Sequence, residues 1–325
     1  VDHVIAVDVS TPGLLALAER LMKQDVISSI RSLRQSTDID EALRDINNSY
    51  FIIATPPDSH HQISLKVLSH KKHILIAKPL ALNSKDAEGI NDLALKHGVV
   101  AMIDHTFMFH PAVSALIAET KAGAIGTPKT FYADWLSRGK IQDGIDVIWD
   151  LAPHPLSILL EFWEFPIDVS CKALDTIGGI TTEASLFLTE KHTGNSAIIH
   201  VSWMDSDKSR MFKIRGSHHT IIFDDTQEIS SKLRIKGGKT HGHPLLNEGY
   251  YEPIYQLDYP TEKTIMLGRE EPIKNELRSF IAMAQRSNSV NADPMINEVR
   301  KGVACVKLIE AAERSIALDK VVHER

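Results

Sequence analysis

Hydrophobic positions in the first hundred residues alternate between two periods. Short β-branched runs at VIAV (4–7), FIIA (51–54), HILI (73–76) and VVAMI (99–103) predict strands. Between them Leu14, Leu15, Leu17, Ala18 and Leu21 recur at helical spacing, and similar patterns fill 58–70 and 84–97. Strands alternating with amphipathic helices predict an open α/β sheet with crossover helices over residues 1–110. From about Thr127 the rhythm changes to KTFYADWL, ASLFLT, SAIIHVSWM, MFKIRG and HTIIFDD, separated by polar turns. These runs predict a large, mostly antiparallel sheet with one covered face. Helical patterns at 146–163, 272–286 and 295–318 make residues 111–325 an α+β domain, in which GGKTHGH (237–243) reads as a mobile loop.

Composition narrows the function classes. Hydrophobic residues at 43% and charged ones at 24% are those of a globular chain of 325 residues, long enough for two domains. Lys plus Arg is 36 against 42 Asp plus Glu, a net charge of −6 without a basic stripe, so nucleic acid is not an expected partner. Cys171 and Cys305 offer neither a disulfide framework nor a paired-thiol metal site. No apolar run approaches the ~18 residues of a membrane span, and VDHVIAVDVS lacks a basic leader; a cytoplasmic protein is expected.

In doubly wound sheets ligands sit beyond the carboxyl ends of the strands, which directs attention to Asp8, Thr55 and Lys78. Asp8 could accept hydrogen bonds from the ribose hydroxyls of NAD and repel the extra phosphate of NADP, or Asp8 or Ser10 could simply cap the helix beginning at Pro12. In ATPPDSHH, Pro56 and Pro57 stiffen a turn into a wall for a flat ring, and His60 follows on the helix. Lys78, before Pro79, either aims an ammonium into a cleft or is an ordinary solvated charge. In WDLAPH, Asp150 and His154 stand four apart and should share a helix face, as an acid and a base suited to proton transfer or as a helix-start acid with a satisfied histidine. No third ligand announces a metal site. No G-x-G-x-x-G is present, nor any nucleophile elbow or P-loop.

Taken in order, Asp8, ATPPDSHH, AKPLA, HTFMFHPAV (105–113), GAIGTPKTF (123–131), WDLAPHPLSIL and EPIKNELRSFI (271–281) resemble the Gfo/Idh/MocA family of glucose-fructose oxidoreductase and inositol dehydrogenase relatives. The resemblance covers nearly the whole chain. It implies a Rossmann-type domain over 1–110, followed by a substrate-binding α+β domain over 111–325 whose open sheet forms a homodimer or homotetramer. It implies NAD rather than NADP as cofactor, held by Asp8, Thr55, Pro56, Pro57, His60, Lys78 and Pro79. Lys78, Asp150 and His154 match the family's catalytic residues, and His105, Phe107, Trp135 and Arg138 are expected to join Asp150 and His154 around the substrate.

Two departures from the family pattern stand out. Ala77 replaces its usual glutamate. The chain also opens on Val1 at what matches the family's second strand, so the first strand, the Gly-rich turn and the first helix are absent from this sequence; truncation is the expectation, and VIAV should then expose a raw sheet edge.

The leading expectation is an NAD(H)-dependent oxidoreductase acting on a secondary alcohol of a sugar, nucleotide sugar or cyclitol. The alternatives are a catalytically silent sugar-binding or regulatory relative, and a redox-neutral glycosidase that uses NAD for transient oxidation.

Overall fold

The computed structural model describes residues 3–23, 31–142, 144–237, 240–243, 254–257, 261–287 and 299–324. The chain starts with strand β1 (His3–Val7), helix α1 (Thr11–Lys23), strand β2 (Ser32–Ser36) and helix α2 (Ile39–Arg44). It continues with β3 (Tyr50–Ile53), α3 (Pro57–Ser69), β4 (His73–Ile76), α4 (Ser84–His97) and β5 (Ala101–Ile103). Every pairing among these strands is parallel, as the alternating pattern predicts. They form two sheets among the described residues: β1 with β2, and β3–β4–β5.

β4 is buried along its whole length in the middle of the three-stranded sheet, which accounts for the uninterrupted apolar run HILI. Helix α4 is closed at both ends by local chemistry. The Asn83 side chain accepts the Asp86 N–H at 2.8 Å, and Gly98 ends the helix with φ +63°, a conformation that costs a side-chain-bearing residue more.

A 3₁₀ turn (Thr106–Phe109) and helix α5 (Pro111–Lys121) lead to β6 (Pro128–Leu136), α6 (Val147–Leu151) and α7 (Pro153–Leu159). Strands β7 (Ile167–Ile177), β8 (Ile180–Glu190), β9 (Ser196–Ser202), β10 (Ser209–Gly216), β11 (Thr220–Asp224) and β12 (Leu233–Gly237) follow. After them come β13 (Thr240–His243), β14 (Ile254–Leu257), β15 (Thr261–Thr264), α8 (Pro272–Ser287), α9 (Val299–Leu318) and β16 (Val322–Glu324). A nine-stranded sheet runs β15-β12-β11-β10-β6-β9-β8-β7-β16, antiparallel except for the β6–β9 pair. Along β6, Phe131, Ala133 and Trp135 are buried while Tyr132 and Asp134 alternate toward the more open face. Helices α6, α7 and α9 cover the buried face, and one hydrophobic core runs from Ile74 and Ile76 to Leu186 and Phe223.

Two expectations are corrected here, and one pair of elements is new. The single helix expected over 146–163 is two, because Pro153 and Pro155 bring no N–H to the helical ladder. Within GGKTHGH, Thr240–His243 is not a loop but β13, paired antiparallel with β14; Gly238 and Lys239 lie outside the described residues. Strand β2 and helix α2 had no predicted counterpart, since SLRQS is a polar strand with little buried surface. As expected, β1 has an open edge: among the described residues it pairs with β2 alone.

Candidate active site

Helix α9 crosses close to the end of the three-stranded sheet. A Cβ at Gly302 would lie 3.1 Å from Leu80 and 3.2 Å from Ile103, so glycine permits an approach that holds the turn after β4. Lys78 leaves the sheet on that turn, through a cis peptide to the buried Pro79.

The Lys78 Nζ donates to Asp150 Oδ1 at 2.5 Å and to the Asp150 backbone oxygen at 2.7 Å, across 72 positions of sequence. With side chains 24% and 14% exposed, the pair is largely buried and not on open surface. Trp203, just past β9, donates its Nε1–H to Asp150 Oδ2 at 2.9 Å. Both carboxylate oxygens are therefore fixed, one by a charge-assisted bond from the parallel sheet and one by an indole from the antiparallel sheet. Asp150 is positioned from below by Asp146, which caps α6 by accepting the Ile148 and Trp149 N–H groups at 2.9 and 3.1 Å.

His154 lies at the start of α7. Ala152 keeps helical dihedrals (φ −65°, ψ −27°), so the chain carries on in helical sense from Asp150 to His154 despite the two prolines. The imidazole stacks on Trp135 with ring centroids 6.1 Å apart and meets Phe107 edge-on at 5.2 Å. Its Nδ1 is buried without a hydrogen-bond partner among the described residues, and the residue as a whole is half-buried. Burial, reinforced by Lys78, His105 and Arg210, pulls the His154 pKa well below the ordinary histidine value. A neutral imidazole at neutral pH is ready to accept a proton.

The residues expected on the cofactor side have varied surroundings. Asp8 follows β1 and its Oδ1 accepts the Ser10 N–H at 2.8 Å, while Ser10 Oγ accepts the Gly13 N–H at 3.2 Å; Ser10 is thus a cap of α1. Thr55 and Pro56 are exposed on the turn after β3, with Pro57 half-buried. Thr55 Oγ1 accepts the Ser59 hydroxyl at 2.7 Å. His60 is completely buried, with Nδ1 2.7 Å from the Pro79 oxygen and Nε2 2.8 Å from the Thr55 oxygen. Both of its nitrogens are occupied by protein carbonyls, so it ties the Thr55 turn to the Pro79 turn instead of reaching outward.

His105, expected at the substrate, is buried behind the site. Desolvation takes its pKa down to about 4, and its Nε2 lies 4.0 Å from Cys305 Sγ. Phe107 and Trp135 pack against His154, whereas Arg138 is exposed on the segment after β6. Two neighbours had no sequence signal beyond their position at strand ends. Trp203 grips Asp150, and Arg210, opposite Trp135 in the β6–β10 ladder, places its guanidinium 5.7 Å from the Phe107 ring centre.

These residues fit the nicotinamide end of a dinucleotide: an ammonium, a carboxylate and a neutral imidazole gather beside an exposed Thr-Pro turn at strand carboxyl ends. For the pyrophosphate end, the sequence holds no G-x-G-x-x-G turn.

Comparison with known proteins agrees with this assembly. Residues 10–105 match the profile described as "Oxidoreductase family, NAD-binding Rossmann fold", that is, Gfo/Idh/MocA. A UDP-N-acetylglucosamine 3-dehydrogenase of Acidithiobacillus ferrooxidans is 27% identical over 164 residues, covering 50% of this chain and 51% of that protein. The match thus spans about half the length of that relative. A scyllo-inositol 2-dehydrogenase (NADP(+)) of Bacillus subtilis is 22% identical over 270 residues, 78% of this chain and 77% of its own. An inositol dehydrogenase homolog from Azotobacter vinelandii, solved with NADH and myo-inositol, superposes with a TM-score of 0.73 at 15% identity, over 87% of this chain and 80% of that one, which shows a shared fold. The parallel-sheet half of the chain, over residues 10–105, thus matches the NAD-binding Rossmann domain of the Gfo/Idh/MocA oxidoreductases.

Proposed function

We propose that this protein is an NAD(H)-dependent dehydrogenase that moves a hydride between nicotinamide and a secondary alcohol of a sugar, nucleotide sugar or cyclitol. The observation that carries the reading is the bridge from Lys78 to Asp150 beside an imidazole kept neutral by its surroundings. His154 Nε2 takes the hydroxyl proton of the substrate as general base. Lys78, whose Nζ is aimed at the cleft wall, orients that oxygen and stabilises its developing negative charge. Asp150, held by Lys78 and Trp203, fixes the ammonium and accepts a hydrogen bond from the substrate. When bound, the nicotinamide supplies the hydride acceptor, and the protein supplies orientation and electrostatics.

The proposed cofactor preference is NAD: among the described residues Asp8 Oδ2 has no hydrogen-bond partner at a strand end, where a carboxylate favours a ribose hydroxyl over a phosphate. A homodimer or homotetramer through the nine-stranded sheet is part of the same proposal, supported by Phe187 (48% exposed) and Ile198 (40% exposed), which are register partners on its open face. The test is fluorescence titration with NAD and NADP, followed by NADH appearance across a panel of myo-inositol, scyllo-inositol, simple hexoses and UDP-N-acetylglucosamine. Saturable NAD binding with NADH formation on a panel member is expected. Binding without turnover on any such alcohol would favour a silent sugar-binding protein.

A further inference from the structure

Asp104 ends β5 and opens the 3₁₀ turn that carries Phe107 onto His154. Its Oδ1 accepts the Thr106 N–H at 3.1 Å and also the Thr106 hydroxyl. Helix α8 packs behind this turn, with Asn275 donating to the Phe109 oxygen at 3.4 Å. The next residue, Glu276, is fully buried, and neither of its carboxyl oxygens has a partner that is unambiguously a donor. The His105 N–H beside it donates to the Ile103 oxygen at 2.9 Å and only secondarily favours the Glu276 carboxylate. The side chain that acts on Glu276 most strongly is the carboxyl group of Asp104, at the end of β5 where α8 packs on the turn.

Two carboxyl groups can bond to each other only through a proton on one of them. Both Thr106 donors bond to Asp104 Oδ1 and favour its ionised form, so Glu276 is the partner that carries the proton. Burial first, and then the Asp104 charge, push the Glu276 pKa up to about 9.

We propose that Glu276 is a positioning residue, whose neutral carboxylic acid donates to Asp104 and so holds the Thr106–Phe109 turn with Phe107 against His154. Its relevance to turnover rests on the reading of His154 as the base. The described titratable groups around Glu276 are few. From the end of β5 come Asp104 and His105; from α9, Lys301 acts on His105. Past Phe280 of α8 lie Tyr50 of β3 and, stacked on it, His73 of β4. The turn itself brings no titratable side chain. Lys274 and Arg278 belong to α8 itself.

Neither test needs substrate or cofactor, so an inactive protein would leave both intact. First, denaturant unfolding of wild type and Glu276→Gln is compared from about pH 5 to about pH 10. Folded Glu276 keeps a proton that the unfolded chain releases at the ordinary glutamate value, so wild type loses ground to the glutamine variant as pH rises. The gap should widen by up to about tenfold in folding constant per pH unit and level off above about pH 9. Second, histidine-labelled protein is followed by NMR, with the His154 signal assigned by its loss in His154→Gln. Between about pH 7 and about pH 10 His154 stays neutral, yet in wild type its signal should move as Glu276 ionises; in Glu276→Gln, which keeps a donor toward Asp104, it should stay. Parallel stability curves would show that Glu276 is ionised in the folded protein, and equal His154 movement in both proteins would show that it does not position the turn; either overturns the proposal.

Discussion

The parallel and antiparallel halves treat their strand edges in opposite ways. In the nine-stranded sheet every interior strand is paired on both sides, and its apolar residues close over one continuous core. Among the described parallel strands, β1 and β3 each pair on one side only, and Val7 (37% exposed) and Ile52 (62% exposed) are left at the surface. Backbone groups on such edges are open to solvent or to another strand. The Lys78, Asp150 and His154 cluster draws nothing from those edges, and only the proposed cofactor contacts at Asp8 and Thr55 follow them. Its lysine leaves β4, the most enclosed strand of the parallel half, and is anchored on a helix lying against the antiparallel half. The geometry of the candidate site is thus kept on regular elements even where the sheet beside them is divided.

Several measurements would break or sharpen this contrast. The largest effect is expected for His154→Asn, which should lower turnover on any accepted alcohol by about 10²–10⁴-fold with NAD affinity retained. Because the His154 pKa is depressed, the acid limb of the alcohol-oxidation profile should fall well below the ordinary histidine range; a limb at or above about pH 6.5 would assign the base elsewhere.

Next come the two sheets themselves. Ile199, buried in β9, should cost about 2–5 kcal/mol when cut to alanine, whereas Ile5 of the half-exposed β1 should cost clearly less; equal losses in denaturant unfolding would erase the distinction. Trp203→Phe, which frees Asp150 Oδ2 from its indole donor, should cost about 1–3 kcal/mol and reduce turnover without changing NAD affinity. Acid should also act on the buried His105. Its folded-state pKa of about 4 lies below the ordinary value, so the unfolded chain binds the extra proton and stability should drop as pH falls from about 6.5 to about 4. The smallest effect is expected for Ile52→Lys, within about 0.5 kcal/mol in stability but with reduced self-association, seen by light scattering.

The sequence was most legible where burial is strong and local. HILI reads as a buried strand because β4 has neighbours on both sides and covering helices, and the 84–97 helix announces both its caps. Strand β2 was invisible because a polar edge strand needs no apolar alternation, and the α6–α7 break was smoothed over by an apolar pattern that two prolines interrupt. At the candidate site, strand-end position, spacing and family resemblance singled out Lys78, Asp150 and His154, and the structure brings these three together. Their closure was not, because the Lys78–Asp150 bond spans 72 positions and the grip of Trp203 comes from a strand end 53 residues beyond Asp150. His60 and His105 looked like cleft residues from their loops, yet the structure buries both. Strand-end location alone does not say which way a ring faces.

The central claim is that an ionic bridge from the parallel half fixes the acid beside the catalytic imidazole. A double-mutant cycle with Lys78→Met, Asp150→Asn and the pair, read in denaturant unfolding, tests it most directly. An interaction energy clearly above the ~0.5 kcal/mol scatter of independent sites is expected. Additive losses within that scatter would contradict it.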